Sequence, residues 1–388
     1  MTLDGGGPFD ATNGEPVKAM TALRKFVING RFLDQPLSGV QRYAREIVAA
    51  LDCHLAVDSR PDEQWCLATT GHEIDPPRLE HITYLRLASP FKGHAWDQIS
   101  LLRASRDSAL IGLAGSGPML HRRQLVVIHD ANVFRNPTFF SRPYGMWHRS
   151  IGRTLSRRAT IATVSNFSRR ELADVLGIAP STIPVFANGS DHLRRSLASS
   201  GAYDRLGLSG RPYFVLLGNL TPNKNVAVAI EAIQHVPRAL LVLVGGVDHR
   251  VFGNDGPAVN GERVIFAGRL EDAEVSGLLQ QAQALLFPSY YEGFGIPPVE
   301  AMVNRCPVIA SDIPAVHEVC AEAALYFDPH DPSALSRAMI DVMGENEVAS
   351  AARRNRGEER AANFSWHQSA RVVLDHCRQS LAASLPRP

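Results

Sequence analysis

The chain has 388 residues, of which 45% are apolar and 20% charged, and its formal net charge is +1. This length predicts two domains with a core each, and the near-zero charge argues against nucleic acid as a partner. The five cysteines form no C-x-x-C pair, so we expect reduced thiols and no metal site. No apolar run approaches the roughly 18 residues that span a bilayer, and no secretory pattern is evident, which favours a cytoplasmic protein.

The first half of the chain alternates between strand and helix patterns. Residues 1–24 have no apolar period, and we expect a disordered tail there. Order begins with the strand-like run 26–28, and residues 39–51 carry apolar side chains at helical spacing. Three further apolar runs follow, separated by helical stretches: 109–111, 125–128 and 160–164. The alternation predicts a first, mostly parallel α/β domain over residues 25–195.

The same alternation restarts after a segment rich in Ser, Gly and Arg, residues 190–211, which is the best linker candidate. Five apolar runs follow it: 213–217, 240–244, 263–266, 284–287 and 308–310. They predict a second doubly wound domain over residues 196–363. A C-terminal helix and tail are expected over residues 364–388.

The richest motif begins where the run 284–287 ends. Gly293 and Gly295 allow the backbone to approach a ligand closely, and Pro297 is typical of a first helical turn. The free N–H groups at such a helix start bind anions. Glu292 and Glu300 can face the same crevice, where they suit sugar and ribose hydroxyls better than phosphate. The alternative is a surface helix whose glutamates favour its dipole.

Three other turns carry candidate ligand groups. Lys224 opens a helix after the turn that begins at Gly218, and a cation there is unfavourable unless an anion is present. Gly39 lies in the first strand-to-helix turn, and His129 and Asp130 follow the run 125–128, at positions where doubly wound folds bind ligands. The alternatives are a solvated lysine, a glycine that only eases its turn, and a structural His–Asp pair.

Taken in order, these motifs resemble those of the family-four glycosyltransferases, retaining enzymes of the GT-B architecture. The resemblance covers roughly residues 25–381 and implies two Rossmann-like domains that face an interdomain cleft, with a C-terminal helix returning toward the first domain. Its most specific part is the E-x7-E segment from Glu292 to Glu300. The other matching segments are 39–43, 129–130, 163–168, 187–189, 218–225, 307–311, 317–319 and 327–329.

The resemblance implies a metal-independent transfer from a nucleotide-diphosphate sugar, which is a co-substrate and not a cofactor. Glu300 would bind the ribose and Glu292 would face the donor sugar. Lys224 and the backbone N–H groups of Gly295 and Ile296 would neutralise the leaving diphosphate. His129 would contact a sugar hydroxyl, with Asp130 orienting it. The remaining implied donor-site positions are Gly39, Gly218, Asn219, Gly293 and Phe294, and Asn188 would line the interdomain region.

The resemblance further implies transfer of a hexose, with mannose or a deoxyhexose favoured, to a glycan or a polyprenyl-diphosphate-linked acceptor in bacterial surface polysaccharide synthesis. One departure from the family pattern concerns charge. The family often has an arginine where this chain has Asn219 or Asn223, so Lys224 would carry more of the phosphate neutralisation. Arg269 is a candidate substitute by its position after Gly268.

The window 121–170 holds ten arginines and a single acid, Asp130. Within it, Met146, Trp147, Ile151 and Leu155 form an apolar stripe at helical spacing, with arginines on another face. One interpretation is contact with anionic lipid headgroups at the inner face of the cell membrane, or with a lipid-linked diphosphate acceptor. The other is an ordinary amphipathic helix that packs on its own sheet.

Other functions remain as alternatives. A nucleotide-sugar epimerase of the same architecture would turn over donor without acceptor, and a non-catalytic sugar-nucleotide-binding module would bind donor without turnover. A phosphorylase would need a lysine-held pyridoxal cofactor. A nicotinamide dehydrogenase is disfavoured, because the glycine run 112–117 lacks the G-x-G-x-x-G spacing.

Overall fold

The computed structural model describes residues 23–195, 197–246 and 263–381. The first domain is built on a parallel sheet with the strand order β3-β2-β1-β4-β5-β6. Its strands are β1 (Arg24–Asn29), β2 (Glu63–Thr69), β3 (Thr83–Arg86), β4 (Ala109–Gly112), β5 (Gln124–Val127) and β6 (Thr160–Ala162). Every residue of β4 and β5 is buried, as expected for central strands that are covered on both faces.

The second domain repeats this arrangement, with the strand order β12-β11-β10-β7-β8-β9 and parallel pairing throughout. Its strands are β7 (Tyr213–Leu217), β8 (Leu240–Val244), β9 (Val264–Gly268), β10 (Ala284–Phe287), β11 (Val308–Ser311) and β12 (Ala324–Phe327). In chain order within each domain, both sheets read 3-2-1-4-5-6, which is the doubly wound order of dinucleotide-binding folds. The predicted fold class is confirmed.

Helices cover both sheets and connect their strands. In the first domain they are α1 (Gly39–Val57), α2 (Gly93–Trp96), α3 (Leu102–Ala104), α4 (Asn132–Arg135), α5 (Arg142–Leu155) and α6 (Asn166–Leu176). From the predicted linker onward they are α7 (Gly201–Arg205), α8 (Val226–Ile233), α9 (Asp272–Gln281), α10 (Ile296–Val303), α11 (Pro314–Cys320), α12 (Pro332–Met343), α13 (Glu347–Ala361) and α14 (Trp366–His376). Within the described ranges, no helix combines the length and the apolarity needed to cross a bilayer.

The C-terminal helix α14 returns to the first domain and packs on α1. Its start is fixed by Asp191, whose Oδ1 accepts a hydrogen bond from the backbone N–H of Trp366 at 2.8 Å. Just beyond its end, the buried guanidinium of Arg378 pairs with Glu63 and Asp58 of the first domain at 2.9 and 2.8 Å. The chain therefore crosses twice between the domains.

The predicted tail, residues 1–24, ends slightly too late in the chain. Residues 1–22 of the predicted tail lie outside the described residues, but β1 already begins at Arg24. Its guanidinium holds this end of the strand through hydrogen bonds to Asp62 and Glu63 of 2.9 and 3.0 Å. The tail prediction missed this because both carboxylates lie more than 35 residues away.

In both sheets the strand order reverses between the first and the fourth strand of the domain. These strands are β1 and β4 in one domain and β7 and β10 in the other. Ligands of doubly wound sheets bind outside the carboxyl ends of the strands at such a reversal. The fold thus places the turns after β1, β7 and β10, together with the turn after β5, as the natural walls of a site.

Candidate active site

A cavity of about 670 Å³ lies between the two domains, within the size range of small-molecule sites. It is lined by residues from the turns after β1, β4, β5, β7 and β10 and by one face of α5. Eleven of the twelve predicted site residues line it: Gly39, His129, Asp130, Gly218, Asn219, Lys224, Glu292, Gly293, Phe294, Gly295 and Ile296. Glu300 is not among the lining residues.

The ammonium of Lys224 lies 2.6 Å from Oε1 of Glu292, and both side chains are mostly buried. The same ammonium lies 4.9 Å from the centre of the Phe287 ring, on which it gains a cation–π contact. Asn225, with φ 50°, turns the chain into α8 directly after the lysine. Lys224 is therefore held at the cavity wall by a carboxylate with which an anionic ligand would compete.

The start of α10 provides backbone donors on the same wall. Gly295 has φ 101°, a left-handed conformation that favours glycine. Pro297 and Pro298 lack N–H groups, so the donor of the first turn that lines the cavity is the N–H of Ile296. An anion next to Lys224 would meet this N–H group and the positive end of the helix dipole together.

Gly293 brings this loop into direct contact with the first domain. A Cβ atom at Gly293 would lie only 2.2 Å from the carbonyl oxygen of His129. The Gly293 carbonyl accepts hydrogen bonds from the hydroxyls of Ser165 and Ser168, at 2.5 and 2.9 Å. The loop that carries Glu292 is thereby docked on the carboxyl end of β5, so that both domains share one wall of the cavity.

His129 is neutral because burial lowers its pKa to about 4. Its Nε2 lies 2.9 Å from the carbonyl oxygen of Leu113, a partner that requires a proton on Nε2 and leaves Nδ1 as an acceptor. Asp130 instead accepts a hydrogen bond from the backbone N–H of Asn132 at 2.7 Å. The expectation that Asp130 orients His129 is therefore corrected, since Leu113 does so. Burial and the charge of Glu292 raise the pKa of Asp130.

The chain is similar to known proteins in both sequence and fold. A family model described as glycosyl transferases group 1 matches residues 204–361, which include the Lys224 turn and the whole segment from Glu292 to Glu300. The O-antigen chain mannosyltransferase B of Escherichia coli is 28% identical over 376 residues, which cover 88% of this chain and 96% of that protein.

Over residues 204–361 the chain is therefore similar to the group 1 glycosyl transferases. A second relative, the O-antigen chain mannosyltransferase RfbU of Salmonella typhimurium, is 29% identical over 234 residues, covering 58% of this chain and 62% of its own. Among solved structures, sucrose-phosphate synthase from Thermosynechococcus elongatus superimposes with a TM-score of 0.73 at 20% identity, covering 93% of this chain and 100% of its own. That similarity shows a shared GT-B fold.

Glu300 lies behind the cavity wall, in a buried chain of hydrogen bonds. Its Oε1 is 3.1 Å from Nε2 of His192, and Nδ1 of His192 accepts a hydrogen bond from the indole N–H of Trp366 at 3.0 Å. The indole fixes the imidazole tautomer, so that Nε2 donates to the carboxylate. The sequence pointed to Glu300 but gave no signal for His192 or Trp366, because they lie 108 and 66 residues away.

Contacts that join the two domains were not predicted either, although Arg42 and Glu318 lie in segments that match the family pattern. Glu318 accepts hydrogen bonds from the backbone N–H groups of Asn166 and Phe167, both at 2.6 Å, and so binds the start of α6 to the second domain. Arg42 and Asp272 form a two-pronged ion pair across the domains, at 2.7 and 2.5 Å. Together with the Gly293 contacts, these bonds join the two domains across the cleft.

The two asparagines that depart from the family pattern both lie at the cavity. The backbone carbonyl of Asn223 accepts a hydrogen bond from the N–H of Tyr290 at 2.9 Å, and its side-chain amide donates to the carbonyl of Tyr291 at 3.4 Å, so that Asn223 ties the Lys224 turn to the Glu292 loop. Asn219 lines the cavity. A Cβ at Gly246 would meet Asn219 Oδ1 at 3.1 Å and an Arg269 nitrogen at 3.2 Å, so the Arg269 guanidinium lies beside the Asn219 side chain. The candidate substitute cation is therefore close to the predicted site.

The predicted apolar stripe on α5 divides into two parts. Ile151 and Leu155 are buried in the core, whereas Met146 and Trp147 are 64% and 41% exposed. The arginines on the helix contact their own domain. Arg149 donates to the carbonyl of Val133 at 3.2 Å, and the guanidinium of Arg153 lies over the Phe134 ring. Half of the stripe, Ile151 and Leu155, thus follows the amphipathic-helix interpretation.

Proposed function

We propose that this glycosyltransferase transfers mannose, with retention of configuration and without a metal ion, from a nucleotide-diphosphate donor to a glycan of a surface polysaccharide. The O-antigen mannosyltransferases among its relatives support both the sugar and the pathway class. The observation that carries the proposal is the pairing of a cation and a helix start on one wall of the cavity, at Lys224 and Ile296.

The chemical difficulty is departure of the nucleoside diphosphate from the anomeric carbon. Lys224 and the N–H of Ile296 would stabilise the negative charge that develops on the β-phosphate, a role that preorganised donors fill without a metal. Once the diphosphate engages Lys224, the Glu292 carboxylate becomes available to sugar hydroxyls. His129, neutral and with Nδ1 as acceptor, would accept a hydrogen bond from another sugar hydroxyl.

Retention requires that the acceptor oxygen enters on the face from which the diphosphate leaves. We propose a front-face reaction in which the bond from the anomeric carbon to the phosphate oxygen breaks as the bond to the acceptor oxygen forms. The acceptor proton passes to the departing phosphate oxygen. This route needs no carboxylate nucleophile of the kind that retaining glycosidases use, and the closed cleft would protect the donor from water.

The test uses the full chain with GDP-α-mannose, a linear mannotriose as acceptor and an excess of EDTA. We expect an α-linked tetrasaccharide, identified by NMR from the one-bond coupling between C1 and H1 of the new mannose residue. Lys224→Ala should abolish most of its formation, whereas Lys92→Ala, which removes an exposed lysine in the other domain, should not. A β-linked product would overturn retention, and loss of product in EDTA would overturn metal independence. Turnover of the donor to an epimer without acceptor would identify the epimerase alternative.

A further inference from the structure

The cavity wall formed by the first domain carries a row of rings. Tyr144 and His148 are four residues apart on α5, so they lie along one side of that helix. Phe140, just before the helix, stacks on Tyr144, and His94 continues the row beyond His148. Ring centres are separated by 5.6 Å from Phe140 to Tyr144, 4.0 Å from Tyr144 to His148 and 5.4 Å from His148 to His94. All four residues line the cavity. We call this row the aromatic ladder.

The ladder presents ring surface that the fold leaves partly uncovered. Tyr144 is 48% exposed, although a tyrosine of this size contributes most when it is buried. Burial lowers the pKa of His148 to about 4, with the nearby charges of His94 and Arg31 acting in the same direction. Its ring is therefore neutral, and it offers both a flat apolar face and a hydrogen-bonding edge.

A hydrogen-bond acceptor without a protein partner lies on the same cavity. Asn188 is 2% exposed and lines the cavity, and its side-chain oxygen has no hydrogen-bond partner among the described residues. A buried polar atom of this kind costs free energy until a donor reaches it. The cavity thus combines stacked rings with an oxygen that requires an N–H or O–H donor from a ligand.

We propose that the aromatic ladder is the platform for the acceptor saccharide, with the C–H face of a pyranose ring stacked on Tyr144 and His148 and a hydroxyl of the bound substrates donating to Asn188. This inference rests on the proposed function and names the substrate class of its second site. A pyranose has an apolar face and a rim of hydroxyls, which matches rings bordered by polar groups.

The position of the ladder argues against other occupants. A nucleobase belongs with the diphosphate, whose expected partners Lys224 and Ile296 lie on the wall formed by the second domain. A membrane would contact the outer surface of α5, where Met146 is 64% exposed and does not line the cavity. The ladder instead faces the space in which a transferred sugar must meet its acceptor.

Binding of linear mannotriose to the full chain is measured by saturation-transfer NMR with saturating GDP. The affinity for GDP is measured by calorimetry. Tyr144→Ala and His148→Ala should each weaken mannotriose binding at least about tenfold, equivalent to roughly 1.4 kcal/mol, with unchanged GDP affinity. Tyr144→Phe keeps the ring and should behave as wild type. Met146→Ala, on the same helix but outside the cavity, is the matched control.

Each outcome bears on one of the two proposals. Failure of the wild-type protein to bind any of GDP, UDP or dTDP would overturn the proposed function. Nucleotide binding with mannotriose signals that are absent, or unchanged in both alanine variants, would overturn the ladder alone. Loss of binding to anionic vesicles in Tyr144→Ala, without a mannotriose signal in the wild type, would show that the face docks on lipid instead. Thermal melts confirm that the variants fold.

Discussion

The substitution Gly293→Ala tests how the two domains share the site. The φ of Gly293 lies outside the left-handed region, so alanine brings no backbone strain there. The added Cβ would nevertheless lie 2.2 Å from the His129 carbonyl oxygen and 2.9 Å from the Asp130 Cβ. Neither neighbour can rotate away, because a carbonyl oxygen and a Cβ atom are both fixed by the backbone, here in the turn just after β5. The Glu292 loop must therefore move by about 1 Å, because a shift of that size restores an ordinary contact.

This displacement sets the expected magnitude. It pulls the Gly293 carbonyl away from the hydroxyls of Ser165 and Ser168, and each hydrogen bond contributes roughly 0.5–1.5 kcal/mol. The interdomain contact is thus weakened by about 1–3 kcal/mol. A misplacement of about 1 Å costs on the order of 100-fold in rate, so we expect kcat/KM for transfer to fall by about that factor while each domain stays folded.

Steady-state transfer kinetics and small-angle X-ray scattering measure the two effects, which are slower transfer and a more open envelope. The matched control is Gly344→Ala at the end of α12. A Cβ there would meet its nearest atom, the Ile340 carbonyl oxygen, at an ordinary 3.4 Å. A Gly293→Ala enzyme within threefold of wild type would refute the reasoning, because the loop would then not need its contact with His129.

Three further substitutions test individual groups. Gly39→Ala should leave the melting temperature unchanged, because its Cβ would meet the nearest protein atom at 3.6 Å. If the ligand contacts the backbone at Gly39, the same substitution should weaken GDP binding, as measured by calorimetry. Lys224→Met should lower kcat by about 10²–10³, with Lys92→Met as the control, and near-normal kcat would contradict its role. His192→Ala releases the Glu300 carboxylate, to which the resemblance assigns the donor ribose, so it should raise KM for the donor more than it lowers kcat. A loss of stability with no such preferential effect on KM would indicate a merely structural residue.

Much of the fold followed from local pattern. The runs 213–217, 240–244 and 284–287 coincide with β7, β8 and β10, because fully buried parallel strands appear as short apolar stretches between turn residues. The order of strands within each sheet had no such local signal. It depends on which helix crosses which face of the sheet, and the sequence analysis predicted no order.

The site, too, was predictable only in part. Gly39, His129, Lys224 and Glu292 were found because each follows a buried run, and turns after parallel strands meet at one edge of a sheet. The contacts that hold these turns together could not be found. Ser165 reaches Gly293 across 128 positions, and a serine that donates to a distant carbonyl leaves no periodicity, spacing or composition by which to recognise it.

The bond between Lys224 and Glu292 joins two groups for which the resemblance implies different ligands, the diphosphate and the sugar. Each group supplies the counter-charge that the other needs inside the cleft. A mostly buried ammonium and a mostly buried carboxylate are each costly without a partner, and Asp130 adds a further acid nearby. A diphosphate would satisfy Lys224 and leave Glu292 in need of donors, which sugar hydroxyls provide. We therefore infer that recognition of the sugar by Glu292 is coupled to capture of the diphosphate by Lys224.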